Sequence, residues 1–428
     1  MAQQTSVMRE PDVGVKRTRW STVAVVALFG LVGNMGSLTI GIITPKLISN
    51  LGISVDEIGN MSTITGFLGI VIALAAGWAA AKWGSRIVGG VAIILGSIMN
   101  LVLPWSSGYS GFLANRIVYS MTSGTPPTTP IGNTELGAAV APRQRGTAAA
   151  IFNFTFPVGA FILGLAGTLV VAGSSWKAWL WILGGVGVVV GIAWLILARG
   201  KPYERIVAGT KNALSWGSLA RSRTLWGTGI AWGLSAWSFL FLAEFLPLYY
   251  IDDRHSQYLG AGLDSTWTWV GGMIGGFFVG IISDALLSRT RNYRVSRTYL
   301  AACSEVIFAG LLVWAALASN LTLVMVLLGV AEFFNEIAAS IFQVISIDTL
   351  GARSARGTGM MCVLVNVFGG FSPYVTSHLF SSGLYTTAFL IAAVTPLAGA
   401  ALLFWLVYPG DLRPWGARTA KTADAAEA

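Results

Sequence analysis

Charge is scarce in this chain. Only 11% of its 428 residues are Asp, Glu, Lys or Arg, against 54% hydrophobic, and the mean hydropathy is +0.70. A soluble globular protein carries about a quarter charged residues, so the composition places the chain in a bilayer. Cysteine and histidine are nearly missing. Cys303 and Cys362 both lie in apolar segments and read as small packing residues rather than a disulfide or metal pair. His255 and His378 stand far apart, each without a second ligand nearby. These absences exclude a metal centre and a disulfide scaffold. No nucleotide loop, catalytic triad or haem motif occurs, so neither an enzyme nor a cofactor is expected. A cleavable signal peptide is not expected either, since residues 1–19 are polar and basic and the first apolar run is too long for one.

What the chain has in quantity is long apolar runs. A spanning helix needs about 20 such residues. Twelve segments qualify: roughly 21–48, 57–81, 86–106, 110–138, 146–172, 176–198, 224–251, 265–288, 297–318, 321–349, 357–383 and 385–408. The fold class is therefore all-α and membrane-embedded. With 52 glycines and 17 tryptophans the chain also suits close helix packing and interfacial anchoring.

The basic residues orient it. With the N-terminus inside, 23 of the 27 Lys and Arg fall on cytoplasmic segments. Lys46, Lys177 and Arg254 fall outside, and Arg116 lies within the membrane. Both termini are thus expected in the cytosol, the protein in the cytoplasmic membrane, and the net charge of +9 against anionic lipid rather than nucleic acid. The chain also repeats. TELGAAVAPRQRGT (134–147) and IDTLGARSARGT (347–358) share an acid, a Leu-Gly, basic residues and an Arg-Gly-Thr. Their spacing is half the chain. The expected organisation is a tail (1–20), a six-helix bundle (21–198), a basic linker (199–223), a second six-helix bundle (224–408) and a C-terminal tail (409–428).

Here the sequence resembles the major facilitator superfamily. GWAAAKWGSR (77–86) is similar to that family's loop motif between helices two and three, with Ala81 in place of its Asp, while Asp284 keeps the acid in the second half. Within the superfamily the chain resembles the anion:cation symporter branch, which includes sugar-acid importers and sialin-like organic anion carriers. FLPLYYID (245–252) with ISDALLSRTRNYRVSR (282–297), NVFGGFSPY (366–374) and LANRIVYSMTSG (113–124) carry this. Two departures stand out. Ser123 occupies the place where the branch usually has a proton-carrying glutamate, and the first segment has Asn34 where an Asp-Arg pair is common.

Charges at membrane depth are functional candidates by default, because each costs about 2.5–3.5 kcal/mol to insert. Arg116 offers planar, bidentate recognition of a carboxylate and stays charged. The plain alternative is a structural role, with Arg116 tied to an acid of its own half or to backbone carbonyls. SGTPPTTP (123–130) after it reads as a break in the helix. Glu244, Glu332 and Glu336 are the coupling candidates, since burial disfavours a carboxylate's charged form. By the repeat offset, Glu336 falls within about one turn of Ser123's counterpart. Glu305 reads as structural. Arg86, Glu135, Asp284, Asp348, Arg353 and Arg356 read as gating charges at the cytoplasmic ends. Ser123, Asn34, Asn153, Asn335, Asn366 and Tyr249 complete the expected substrate contacts.

The expectation is a monomeric secondary transporter working by alternating access. It would carry a small organic anion, in particular a carboxylate, together with protons. Two alternatives stand beside it: a proton-coupled exporter of cationic or amphipathic compounds, and a transporter-like ligand sensor.

Overall fold

The computed structural model describes residues 18–141, 144–198, 200, 221–350 and 354–408. Every regular element in it is helical. Eleven helices are long and apolar enough to cross a membrane unaided. In chain order we label the spans α1 (Trp20–Leu51), α2 (Val55–Trp83), α3 (Ser85–Val102), α4, α5 (Arg145–Ile162), α6 (Trp176–Leu197), α7 (Arg223–Asp252), α8 (Tyr258–Thr290), α9 (Leu300–Leu317), α10 (Leu321–Leu350), α11 and α12 (Tyr385–Leu406).

The remaining span, α4, is broken into Gly108–Thr122 and Thr125–Ala139. The break follows from SGTPP. Ser123 and Gly124 both donate their backbone N–H to Tyr119 O, which ends the first segment. Pro126 then opens the second, where its missing N–H leaves no helical bond unmade. Span α11 is broken likewise into Ser354–Gly369 and Ser372–Ser381, with Pro373 in the first turn of the second piece. Span α5 continues through a π-helical turn, Leu163–Gly167, to Gly173, and α9 is preceded by another, Arg294–Tyr299. The widest difference from the apolar count is α8, which starts at Tyr258 rather than near 265. Asp264 sits in its second turn.

Spans α1–α6 and α7–α12 form two six-helix halves, each with its own core. Phe29, Val26, Ile93, Phe152 and Trp194 pack in the first half. Phe241, Phe245, Tyr249, Phe308 and Phe389 pack in the second. Exposed apolar side chains such as Val71, Val189, Phe277 and Leu317 form the outer wall. A lipid-facing helix surface needs that composition.

The halves meet through glycines. A Cβ at Gly41 of α1 would lie 2.5 Å from Ala243 O and 3.0 Å from Glu244 Cα of α7. A Cβ at Gly59 of α2 would overlap Ser377 of α11. Gly164 and Gly262 do the same between α5 and α8, against Thr266 and Thr168. Tyr258 Oη donates to Ile42 O, Ser381 Oγ donates to Asp56 Oδ1, and His378 Nδ1 lies 3.6 Å from the same carboxylate. All these contacts lie from the middle of the spans toward the end opposite Lys82, Arg86, Arg289 and Arg291. The protein is thus closed on its less basic face. Toward the basic face Asn153 Nδ2 donates to Gln343 Oε1 across the halves, at 2.7 Å.

Candidate functional site

Arg116 lies in the first segment of α4 and is 5% exposed. Its position depends on small residues in α1. Gly36 faces Tyr119 so closely that a Cβ would overlap the phenol, and Gly33 O accepts from Tyr119 Oη at 3.0 Å. The Tyr119 ring then lies under the guanidinium, 4.2 Å from its Cζ. Arg116 Nη2 donates to Gly36 O at 2.8 Å, and Nη1 donates to Asn100 Oδ1 of α3 at 3.3 Å. A guanidinium has five N–H donors, so these two bonds aim it and leave donors over. Asn100 and Gly36 were not among the expected site residues. Asn100 had a signal, as a strongly polar side chain in an otherwise apolar run, whereas a backbone carbonyl leaves none.

The charge that answers Arg116 comes from the other half. Glu244 of α7 is packed against Gly41 and interacts electrostatically with Arg116, with Ser62 of α2 beside it. Its Oε2 is buried without a hydrogen-bond partner. Glu336 and Glu332, the candidates the repeat offset favours, lie elsewhere. Glu332 and Glu336 face α8, where their Cγ atoms lie 3.2 and 3.3 Å from the Cβ positions of Gly272 and Gly276. Pro157 and Phe154 of α5 border the same two glycines.

The other expected contacts divide. Asn34 accepts weakly from Thr125 Oγ1 at 3.4 Å, and Ser123 is buried at the α4 break beside Tyr119. Both lie around the Arg116 anchor. Asn335 donates to Glu332 Oε1 at 2.9 Å and accepts from Ser235 of α7 at the same distance. Asn366 donates to Cys362 O within its own helix. Tyr249, also expected as a substrate contact, lies in a core. It is 2% exposed, packed against Tyr250 and Phe389, and its hydroxyl accepts from Arg254 Nε at 2.7 Å. Its ring lies against α12, at Tyr385 and Phe389, in the core of the second half.

Of the charges expected to gate, those described make the following contacts within their own halves. Glu135 accepts from Ser85 Oγ at 2.7 Å and from Gly200 N at 2.9 Å, and Arg86 Nε donates to Leu195 O. Asp284 and Asp348 both pair with Arg297, at 3.4 and 3.0 Å, a residue that sequence reasoning had not singled out. Arg353 and the side chain of Arg356 lie outside the described residues.

The two halves thus contribute a buried cation, Arg116, and a carboxylate with a buried oxygen, Glu244. The family model of the Major Facilitator Superfamily matches residues 25–304. The chain belongs to the Major Facilitator Superfamily. It is a multi-pass secondary transporter of that superfamily and not an enzyme. It is 21% identical to the hexuronate transporter of Bacillus subtilis (strain 168), over 91% of this chain and 94% of that one. It is 25% identical to the probable galactarate/D-glucarate transporter GudP of Escherichia coli (strain K12), over 93% and 95%. Among solved structures, the D-xylose-proton symporter superposes with a TM-score of 0.74 at 12% identity, covering 92% of this chain and 99% of that chain. An inward-facing bacterial homolog of the human lysosomal transporter Spinster gives 0.69 at 15% identity, covering 91% and 97%. These two likenesses concern the fold.

Proposed function

We propose that this member of the superfamily imports a small organic anion of the sugar-acid class across the cytoplasmic membrane, together with protons, by alternating access. The observation that carries the reading is the buried guanidinium of Arg116, held by Gly36 O and Asn100 Oδ1, with Glu244 brought near it from the other half by the close packing of α7 on Gly41. Arg116 keeps its proton under all working conditions, so release of a bound carboxylate needs a second charge that changes. Glu244 supplies it. When Glu244 is neutral, Arg116 is free to hold the anion. When Glu244 is ionised, it competes for Arg116 and expels the anion. One unit charge at roughly 4–8 Å and an effective dielectric of 20 is worth about 2–4 kcal/mol, which moves binding by one to three orders of magnitude.

Several features support the remaining parts of the reading. Curated relatives are named for hexuronate and for galactarate and D-glucarate. The arginine-rich side is the cytoplasmic one by the positive-inside rule, and the halves pack most closely on the opposite face. We read the bundles as 21–198 and 224–408, joined in sequence by the 199–223 linker, with Asn34, Ser123 and Asn153 near the substrate path and Glu332 and Glu336 as further proton carriers. Reconstituted protein should take up D-galacturonate or D-glucarate when the outside is acidified. Arg116→Ala should abolish that uptake, and Glu244→Gln should keep exchange of the same solutes while losing accumulation. Uptake by Arg116→Ala equal to that of the parent would overturn the reading.

A further inference from the structure

The second half contains a polar chain that the Arg116 site does not use. Ser235 Oγ of α7 donates to Asn335 Oδ1 of α10, and Asn335 Nδ2 donates to Glu332 Oε1 one turn earlier. Glu305 of α9 adjoins it, with Ser235 at its side and its charge coupled to that of Glu332. Glu305 is 0% exposed and Glu332 is 1% exposed. Three carboxylate oxygens in this cluster, Glu305 Oε1 and Oε2 and Glu332 Oε2, are buried without any hydrogen-bond partner.

Three orphaned acceptors are a specific deficit. Ser235 gives its proton to Asn335 Oδ1 and Asn335 gives one amide proton to Glu332 Oε1, so neither bond reaches these three oxygens. Two carboxylates sharing one apolar site cannot both stay ionised, and such a pair titrates as a unit. Among the described residues the charged neighbours are Glu332 for Glu305, and Glu305 and Glu336 for Glu332. No lysine or arginine interacts with them. A divalent metal is poorly served, because the cluster brings only two carboxylates together and no set of three metal-ligating side chains occurs among the described residues. A single proton fits better. Bound to either acid, it cancels one charge and becomes the missing donor to an orphaned oxygen.

We infer that Glu305 and Glu332, bridged by Ser235 and Asn335, form a second proton site in the C-terminal half, separate from the Arg116–Glu244 pair. Glu336 extends this site to the half interface. It lies one turn beyond Glu332, interacts with it, and faces Gly276 where Phe154 of α5 also lies. The proton therefore has a route by side-chain exchange between a buried store and the surface along which the halves part. The step is a transfer only. A carboxylate oxygen gains a proton from one side of the membrane and later returns it on the other, with no bond to substrate made or broken.

The test reads protons rather than transport. Full-length protein in lipid is followed by infrared difference spectroscopy of protonated carboxyl groups during a pH titration. The parent and Glu244→Gln should both show a signal that Glu305→Gln/Glu332→Gln lacks. Each single replacement should titrate with a midpoint displaced from that of the parent, which keeps the test open should the double variant fold poorly. A double variant with the full parental signal, or single variants with the parental midpoint, would overturn the inference. So would loss of the signal on adding Na⁺ at constant pH, since sodium would then be the occupant. A second measurement depends on the sugar-acid reading. The proton-to-anion flux ratio with D-glucarate should fall by one proton in the double variant. Absence of any D-glucarate or D-galacturonate flux in the parent would count against that reading alone and leave the infrared result to stand.

Discussion

Closure on the less basic face depends on a glycine that one methyl group can disturb. Gly59 of α2 lies against α11, where a Cβ would fall 2.5 Å from Pro373 O and overlap the Ser377 side chain. The backbone oxygen cannot rotate away, so Gly59→Ala must push α2 and α11 apart at the seam between the halves. Overpacking of this kind costs about 1–3 kcal/mol. The opposite conformer, in which this face is parted, does not bear that cost. The ratio of closed to open should therefore fall roughly 5- to 150-fold. Ser62, three residues further along α2 and beside Glu244, is a suitable reporter. In a background with Cys303→Ser and Cys362→Ser, a Ser62→Cys thiol should react faster with a membrane-impermeant reagent added from the less basic side when Gly59→Ala is present. Gly280→Ala is the control, because no atom lies within 4 Å of its Cβ position. Equal labelling rates in all three backgrounds would refute the assignment of Gly59 to the seam.

Arg116→Lys should weaken carboxylate binding by more than the retained charge suggests, because an ammonium cannot keep both the Gly36 and Asn100 bonds and still present a fork; ligand-induced shifts of melting temperature with D-galacturonate would measure it. Asn100→Ala should act in the same direction but more weakly, read by the same shift. Tyr249→Phe should lower thermal stability by about 1 kcal/mol through loss of the Arg254 bond and leave the affinity for D-galacturonate unchanged, measured by melting and by binding side by side. Arg297→Ala should cost about 1–3 kcal/mol, since Asp348 loses its partner in a half-buried place, and a melting curve indistinguishable from the parent would argue that the pair is idle.

Helix number, order and ends were largely readable from the chain, because hydrocarbon demands long apolar runs and tolerates few exceptions. The break in α4 was readable for the same reason, since Gly and Pro in SGTPP act on the backbone within a few residues. Which buried charge meets which was not. The repeat relates α4 to α10 by sequence position, yet the neighbour of Arg116 is chosen by how closely α1 and α7 can pack, and that depends on Gly41. Tyr249 follows Pro247 by two residues on a helix that touches both halves, and nothing local tells which side its ring takes. Glu305 reads as structural from the sequence, and only the packing shows it fully buried beside Ser304, on a helix whose Val306, Ile307 and Trp314 are exposed.

The bond from Arg116 to Gly36 ends on a backbone carbonyl, and that has a bearing on how such a carrier changes over generations. A carbonyl oxygen is present whatever residue is encoded, so no substitution in α1 can delete this ligand. What position 36 must supply is smallness, because any larger residue would displace Tyr119. On the proposed function, the anchor of the anion is thus robust to drift in the side chains of α1 other than position 36. A protein built this way can alter what it carries without first rebuilding the group proposed to hold the anion.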